Sequence, residues 1–182
     1  MKKVIFTLAI AAIVLSACNQ TEKKDGVANA TTEDVKTSKE EVIKSPVMAG
    51  YISIKDALAK DDSKAAANAA LTLAKSIKGF DESSLTTEQK TAFLNIKLDA
   101  LEHAEHIGDN TDKIEHQRDH FKMLSEDIYI MAKNVDASQT FYKITCPMYK
   151  NGAFWLSTTQ DIKNPFYGNK MSTCGSVEET IN

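Results

Sequence analysis

Cysteine, proline and glycine are all scarce in this chain, whose 182 residues include three cysteines, three prolines and seven glycines. No CxxC pair, glycine-rich phosphate loop or GxSxG elbow occurs in the sequence, so dithiol redox chemistry, phosphate-loop nucleotide binding and serine hydrolysis lack their usual motifs. A cysteine nucleophile would need a base and an oxyanion hole, and the sequence places neither beside Cys146. We therefore predict that the protein is not an enzyme.

Long blocks of lysine and arginine are also missing, and 22 Lys and Arg face 25 Asp and Glu. A nucleic-acid partner requires a concentrated basic face. The sequence therefore predicts no nucleic-acid partner.

The N-terminus has the pattern of a secretion signal. Lys2 and Lys3 precede an apolar run over residues 4–15, which is too short to span a bilayer comfortably and matches a signal-peptide core. The run ends in Leu15-Ser16-Ala17-Cys18, where small residues suit a lipoprotein signal peptidase. We predict a signal peptide over residues 1–17 and lipidation of Cys18; the alternative is an ordinary signal peptide followed by a chance cysteine.

A lipidated Cys18 predicts a location in the cell envelope, with the membrane as a partner through the lipid anchor. Asn19 gives no strong retention signal, which favours the outer membrane, facing the periplasm. Residues 19–45 contain no aromatic residue and cannot bury enough apolar surface to fold. The predicted organisation is a lipidated, disordered tether over residues 18–45 and one folded domain over residues 46–182.

Helical periodicity predicts four helices in the first part of that domain. The first helix has apolar residues at Val47, Tyr51, Ile54 and Leu58, and the second has an N-cap at Asp61 or Asp62 and a stop at Gly79. The third begins with a capping box from Thr86 to Gln89 and has a wide apolar arc through Phe93, Leu94, Ile96, Leu98 and Leu101 to Gly108. The fourth starts at Asp112 and Glu115 and has an apolar stripe from Ile114 to Val135. Short connections favour an up-down arrangement. The predicted fold is mainly α, a four-helix up-down bundle.

The C-terminal part has a different pattern. Residues 141–146 alternate like a strand, Asn151-Gly152 is a turn signal, and residues 153–156 can pair back as a hairpin. Asn164-Pro165 and Gly168 interrupt regular structure further on. We predict a small irregular cap that contains a short β-hairpin and packs on the bundle.

Cysteine and methionine occur as two local pairs in this cap: Cys146 with Met148, and Met171 with Cys174. Thiolate and thioether sulfur select soft ions, so these four residues predict a site for Cu(I) or another soft metal ion. The alternative is a disulfide between Cys146 and Cys174, which closes a 28-residue loop and would stabilise the fold by about 3.5 kcal/mol in the chain-entropy model.

All four histidines lie between residues 103 and 120, around the junction of the third and fourth helices. His116, His120 and Met123 are spaced i, i+4 and i+7, which predicts three candidate metal ligands on one ridge of the fourth helix. Of the other two, His106 is predicted on the polar side of its helix and His103 at the border of the core. The spacing alone is weak evidence, because surface histidines are usually solvated and Gln117 replaces the glutamate of a zinc-peptidase HExxH motif.

Five ordered motifs carry a family resemblance: Arg118-Asp119-His120-Phe121 with Leu124-Ser125, Cys146-Pro147-Met148, Trp155-Leu156-Ser157, Ile162-Lys163-Asn164-Pro165-Phe166-Tyr167-Gly168 and Met171-Ser172-Thr173-Cys174-Gly175. With them the chain, from about Tyr51 to Ile181, resembles an uncharacterised domain family of bacterial envelope proteins. Members occur as lipoproteins or joined to periplasmic adaptor subunits of copper/silver-type heavy-metal efflux pumps. The resemblance implies metal handling in the envelope, with efflux adaptor proteins as partners.

Together these observations predict a membrane-tethered lipoprotein that binds Cu(I) or a related soft ion for buffering or for hand-off to an efflux system. The alternative function is a protein-interaction module without metal, stabilised by a disulfide. In that alternative Trp155, Phe166 and Tyr167 are contact or core residues.

Overall fold

A computed structural model describes residues 43–136 and 139–182 of the chain. The predicted signal peptide, Cys18 and nearly all of the predicted tether lie outside these residues. Four helices come first and three strands follow: α1 (Pro46–Ala59), α2 (Ser63–Lys78), α3 (Thr87–Asp109), α4 (Ile114–Asn134), β1 (Phe141–Cys146), β2 (Ala153–Ser157) and β3 (Ser176–Ile181). In the part of the chain that the structure describes, no helix combines the length and apolar character needed to cross a membrane.

Local signals start three of the helices. Ser45 caps α1, where Pro46 fills the first turn, and Asp62 caps α2 by accepting from the Ala65 amide. Thr86 and Gln89 form the predicted capping box of α3. These caps satisfy amides that have no partner within the helix. Consecutive helices then pack as neighbours, which confirms the predicted helical bundle.

The structure places the N-cap of α4 one residue after the predicted start at Asp112. Lys113 is the N-cap and makes no side-chain capping bond. The turn before α4 is held instead by tertiary hydrogen bonds: the Ser63 hydroxyl donates to the Thr111 carbonyl oxygen, and the buried Gln117 amide donates to the carbonyl oxygens of Ser63 and Ile107. Contacts with the start of α2 therefore fix this turn together with local hydrogen bonds around Asn110.

The apolar arc predicted for α3 is too wide. Phe93 and Ile96 are buried as expected, but Leu94 is 48 % exposed and Leu98 is 74 % exposed. The core lies among the inner faces of all four helices and the sheet, and Tyr51 links three of these elements. Its hydroxyl lies 2.8 Å from Ser125 Oγ on α4 and accepts from the Leu156 amide of β2 at 3.0 Å.

The strands form one antiparallel sheet in the order β2-β1-β3. The hairpin of β1 and β2 matches the prediction, and the turn between them uses positive φ at Asn151 and Gly152. β3 was predicted as irregular structure and is a strand that pairs with the other edge of β1. The fold is therefore mainly α with a C-terminal β cap, and β1 lies at the centre of that cap.

Candidate metal sites

Two distant parts of the cap bring cysteine sulfurs together. Cys146 ends the central strand β1 and is fully buried, while Cys174 lies just before β3 and is partly exposed. Their Sγ atoms are 3.3 Å apart, and both thiols are free. The hydrogen bond with Cys146, followed by burial, raises the pKa of the Cys174 thiol. Cys146 and Cys174 are called the sulfur pair below.

Gly175 allows this approach. Its φ of +153° suits glycine, and a Cβ at this position would lie 3.0 Å from Trp155 Cη2 and 3.2 Å from the Thr145 carbonyl oxygen. The segment that carries Cys174 can therefore pass close over β1 and β2 only without a side chain at residue 175. This contact gives the Cys174-Gly175 motif a physical role in forming the sulfur pair.

Asn164 holds the other side of the same segment. The side chain is fully buried, and its amide nitrogen donates to the Cys174 carbonyl oxygen at 2.8 Å. The side-chain Oδ1 accepts from the backbone amides of Phe166 and Tyr167, and the backbone amide of Asn164 donates to the Ser172 carbonyl oxygen. A single side chain thus fixes the turn at residues 164–168 and the backbone position of Cys174.

The two methionines next to the sulfur pair point to solvent. Met148 is 61 % exposed and Met171 is 37 % exposed. The Tyr167 hydroxyl donates to the Met148 carbonyl oxygen, and the Cys174 amide donates to the Met171 carbonyl oxygen. Both backbones are therefore held within the cap while both thioethers remain accessible.

A second group of candidate ligands lies on α3 and α4. His106, His116 and His120 each offer a ring nitrogen, and these three atoms lie within 4.8 Å of one another. His103 joins them, because its Nδ1 is 3.2 Å from Nδ1 of His120. Within residues 43–136 and 139–182 this is the one group of three or more His, Cys, Asp or Glu side chains placed to hold a metal ion. His103, His106, His116 and His120 are called the histidine cluster below.

Ring packing and charge shape the histidine cluster. The rings of His106 and His120 are stacked with centroids 4.4 Å apart, and His116 approaches His120 edge-on at 4.6 Å. Burial, together with the other three histidines, lowers the pKa of His120 to about 4. Burial also lowers the pKa of His103. Both rings are therefore neutral at pH 7, which is the state that can ligate a metal.

Sequence reasoning placed His116 and His120 correctly on one ridge but left His106 out of the candidate ligands. The missed signal is the short turn between α3 and α4. In an antiparallel helix hairpin, residues equally far from the turn lie at the same level, which pairs His106 with His116 and His103 with His120. Met123, the third predicted residue of the ridge, is 38 % exposed on α4.

The cap and the helix of the histidine cluster are in direct contact. The Tyr149 hydroxyl donates to Asp119 Oδ1 at 2.7 Å, and Lys150 Nζ lies 2.5 Å from the same oxygen. The buried Arg118 donates from Nε to the Pro165 carbonyl oxygen and from Nη2 to Asp61 at the end of α1. Residues 118 and 119 thus anchor the cap immediately before His120.

Fold and sites together define a small helical-bundle protein with a β cap, a close pair of cysteine thiols and a cluster of four histidines. The chain belongs to the family described as protein of unknown function (DUF3347), which it matches over residues 47–140. This range covers all four helices and the histidine cluster and ends just before β1. No curated protein matches the chain, and no solved structure does.

Proposed function

We propose that this protein is a membrane-tethered envelope lipoprotein that binds a soft metal ion, Cu(I) in the first instance, and buffers it or passes it to an efflux system. The ligands are Cys146 and Cys174, with Met148 and Met171 completing the sulfur set. The protein acts as a carrier and not as an enzyme.

The approach of the two cysteine sulfurs carries this proposal. Two free thiols from residues 28 positions apart lie 3.3 Å from each other, and this close pair suits a soft ion better than a hard one. The exposed thioethers of Met148 and Met171 lie two and three residues from these thiols. The partly exposed Cys174 would give a soft ion access to the pair from solvent and a route to another protein.

The envelope location and the efflux partner rest on sequence. The apolar run over residues 4–15 and the small residues before Cys18 support lipidation. The motifs shared with domains joined to copper/silver-type efflux adaptors support hand-off to such an adaptor. Metabolic labelling with radioactive palmitate tests the anchor: the label should enter the wild-type protein and be lost from Cys18→Ala. Label retained in Cys18→Ala would show that Cys18 is not the lipidated residue.

A competition titration tests the metal site. Reduced, tag-free full-length protein is titrated with Cu(I) against a chromogenic Cu(I) chelator. We expect one tightly bound ion and a loss of affinity of at least about 100-fold in Cys146→Ser, because a buried hydroxyl is a poor replacement for a thiolate. Binding no tighter than millimolar in the reduced protein would end the proposal.

Paired controls separate metal binding from folding. Met148→Leu and Met171→Leu keep the apolar volume and remove the thioether sulfur, so they should lower Cu(I) affinity without changing the melting temperature. Ile130→Leu, at another partly exposed apolar position, should change neither quantity. Unchanged affinity in both methionine variants would confine the site to the two thiols.

The alternative function, an interaction module without metal, places Trp155, Phe166 and Tyr167 in contacts or in the core. Trp155 and Phe166 are buried, so of these three only Tyr167 offers an exposed part to a partner. The thiols could still form a disulfide if the sulfurs closed from 3.3 Å to about 2.05 Å. Counting free thiols in protein isolated from the envelope distinguishes the two resting states.

A further inference from the structure

We propose that the histidine cluster is a second metal site, specific for a divalent ion of the later first-row series such as Zn(II) or Cu(II). His106, His116 and His120 are the ligands, and His103 positions His120. This site differs from the sulfur pair in ligand chemistry, and neither cysteine belongs to it. The inference does not depend on the proposed Cu(I) function.

The geometry needs only small side-chain movements. The three ligand atoms lie within 4.8 Å of one another, and a tetrahedral ion with metal–nitrogen bonds near 2.05 Å places ligand nitrogens about 3.4 Å apart. His106 is exposed, and His116 and His120 are partly exposed, so χ rotations of His106 and His116 can close the difference. The i, i+4 spacing of His116 and His120 provides two ligands from one rigid helix.

His103 supplies the orienting contact. Nδ1 of His103 is 3.2 Å from Nδ1 of His120, and a single proton shared between these atoms makes one ring the donor and the other the acceptor. When His120 is the donor, its Nε2 holds the free lone pair. A metal-ligating histidine typically donates its second ring N–H to an acceptor, which fixes the tautomer, and here the acceptor is Nδ1 of His103. His103 is therefore a positioning residue.

Imidazole nitrogen selects borderline divalent ions such as Zn(II), Cu(II) and Ni(II), whereas paired sulfurs favour Cu(I). Three protein ligands leave one position of a tetrahedral ion open. The site faces solvent and bridges α3 to α4, so a bound ion cross-links the hairpin and can still be exchanged through the open position.

Titration with Zn(II) and Co(II) tests the site on tag-free full-length protein. We expect one ion per chain and a rise in melting temperature of about 5–10 °C at a free ion concentration 100 times Kd. Bound Co(II) should give tetrahedral visible bands without a thiolate charge-transfer band. A charge-transfer band in the near ultraviolet would show that the ion binds at the cysteines and would overturn the assignment.

Single substitutions assign the ligands. His106→Gln and His116→Gln should each lower Zn(II) affinity by at least about 100-fold, and His103→Gln by about 10-fold, as expected for an outer contact. Zn(II) affinity unchanged in His106→Gln would overturn the proposal, because only His106 brings a ligand from α3.

The cysteines provide the matched control. Cys146→Ser with Cys174→Ser removes both thiolates, and circular dichroism first checks that this variant is folded. It should bind Zn(II) as the wild type does while losing Cu(I). Conversely, His116→Gln should keep Cu(I) affinity. If the folded double variant did not bind Zn(II), the proposal of a separate imidazole site would be overturned. If the wild type bound Zn(II) but not Cu(I), only the proposed sulfur site would be overturned.

Discussion

The sulfur pair lies in the β cap and the histidine cluster lies on the α3–α4 hairpin, and the two differ in how their ligands are brought together. Cys146 is fully buried, and Cys174 reaches it through a loop fixed by Asn164 and Gly175. His106 and His116 lie near the surface on neighbouring helices and are brought together by the α3–α4 hairpin. The sulfur pair therefore depends on tertiary packing, whereas the histidine cluster depends on two helices and a short turn.

Replacing Arg118 should have the largest effect on this comparison. Its buried guanidinium bonds to the carbonyl oxygens of Leu58 and Pro165 and to the carboxylates of Asp61 and Glu115. Arg118→Met should lower the free energy of unfolding by about 3–5 kcal/mol, because it removes two buried hydrogen bonds from a charged donor to the carbonyl oxygens of Leu58 and Pro165. Urea denaturation measures this change.

Because Arg118 holds the cap on the bundle, Arg118→Met should weaken Cu(I) binding more than Zn(II) binding. Lys64→Met removes the same charge from an exposed position and should change stability by less than about 0.5 kcal/mol. Equal losses at both sites would show that the hairpin relies on the cap as much as the sulfur pair does.

Oxidation should separate the two regions almost as strongly. A mild thiol oxidant such as diamide should join Cys146 to Cys174 and raise the free energy of unfolding by up to about 3.5 kcal/mol, since the bond closes a 28-residue loop. Cu(I) affinity should fall and Zn(II) affinity should stay the same. Thermal denaturation of oxidised and reduced protein measures the shift, and Cys146→Ser should show none.

Gly175→Ala should have an intermediate effect that is confined to the cap. The new methyl group would crowd Trp155 and the Thr145 carbonyl oxygen, and the positive φ would add backbone strain. We therefore expect the free energy of unfolding to fall by about 3 kcal/mol and Cu(I) binding to weaken. Gly152 is the matched control: its φ is +113°, and a Cβ there meets nothing within 4 Å. Gly152→Ala should therefore cost about 1 kcal/mol from strain alone. Equal losses would remove the steric argument.

The smallest expected effect lies in the helices and depends on pH. Burial, followed by the charges of Asp99 and Glu126, raises the pKa of Asp127 to about 7, and its Oδ2 has no hydrogen-bond partner. A raised pKa in the folded state means that the folded protein binds more protons than the unfolded chain between pH 4 and 7, so stability falls as pH rises through this window.

Asp127→Asn should therefore increase the free energy of unfolding at pH 8 by about 1 kcal/mol, after allowance for solvent screening of a half-exposed group. At pH 4 most of this gain should be absent, because the carboxyl is protonated in the folded state and about half protonated in the unfolded chain. Urea denaturation at the two pH values checks this. The control Asp109→Asn replaces an exposed carboxylate and should change the free energy of unfolding by less than about 0.5 kcal/mol. A gain in Asp127→Asn that is the same at both pH values would contradict the assignment.

Sequence patterns predicted the elements whose signals are local. The Thr86–Gln89 capping box, the strand at residues 141–146 and the Asn151-Gly152 turn are all present in the structure. β3 was missed because its residues are mostly exposed and only Ile181 is buried, so the usual alternation of a strand is weak. Its place is fixed by backbone pairing with β1, including a bulge next to Lys143.

Only His116 and His120 of the histidine cluster were predicted as ligands, for a similar reason. Periodicity assigns residues to faces of one helix, so it grouped His116 with His120 but could not pair them with His106 on the neighbouring helix. That pairing needs the position of the turn, which contacts with Ser63 of α2 help to fix from outside the hairpin. Likewise, the motif residues Arg118 and Asp119 have no local signal for their contacts with the cap.

The order of strands in the cap sets an order of events during synthesis. β1 and β2 form a hairpin from nearby residues, but β3 pairs with β1 across the segment that carries Cys174. A chain emerging from its N-terminus completes the helices and their imidazoles first, and Cys146 waits as a single thiol until the final edge strand docks. At the two proposed metal sites, the nitrogen ligands would thus be assembled before the sulfur ligands.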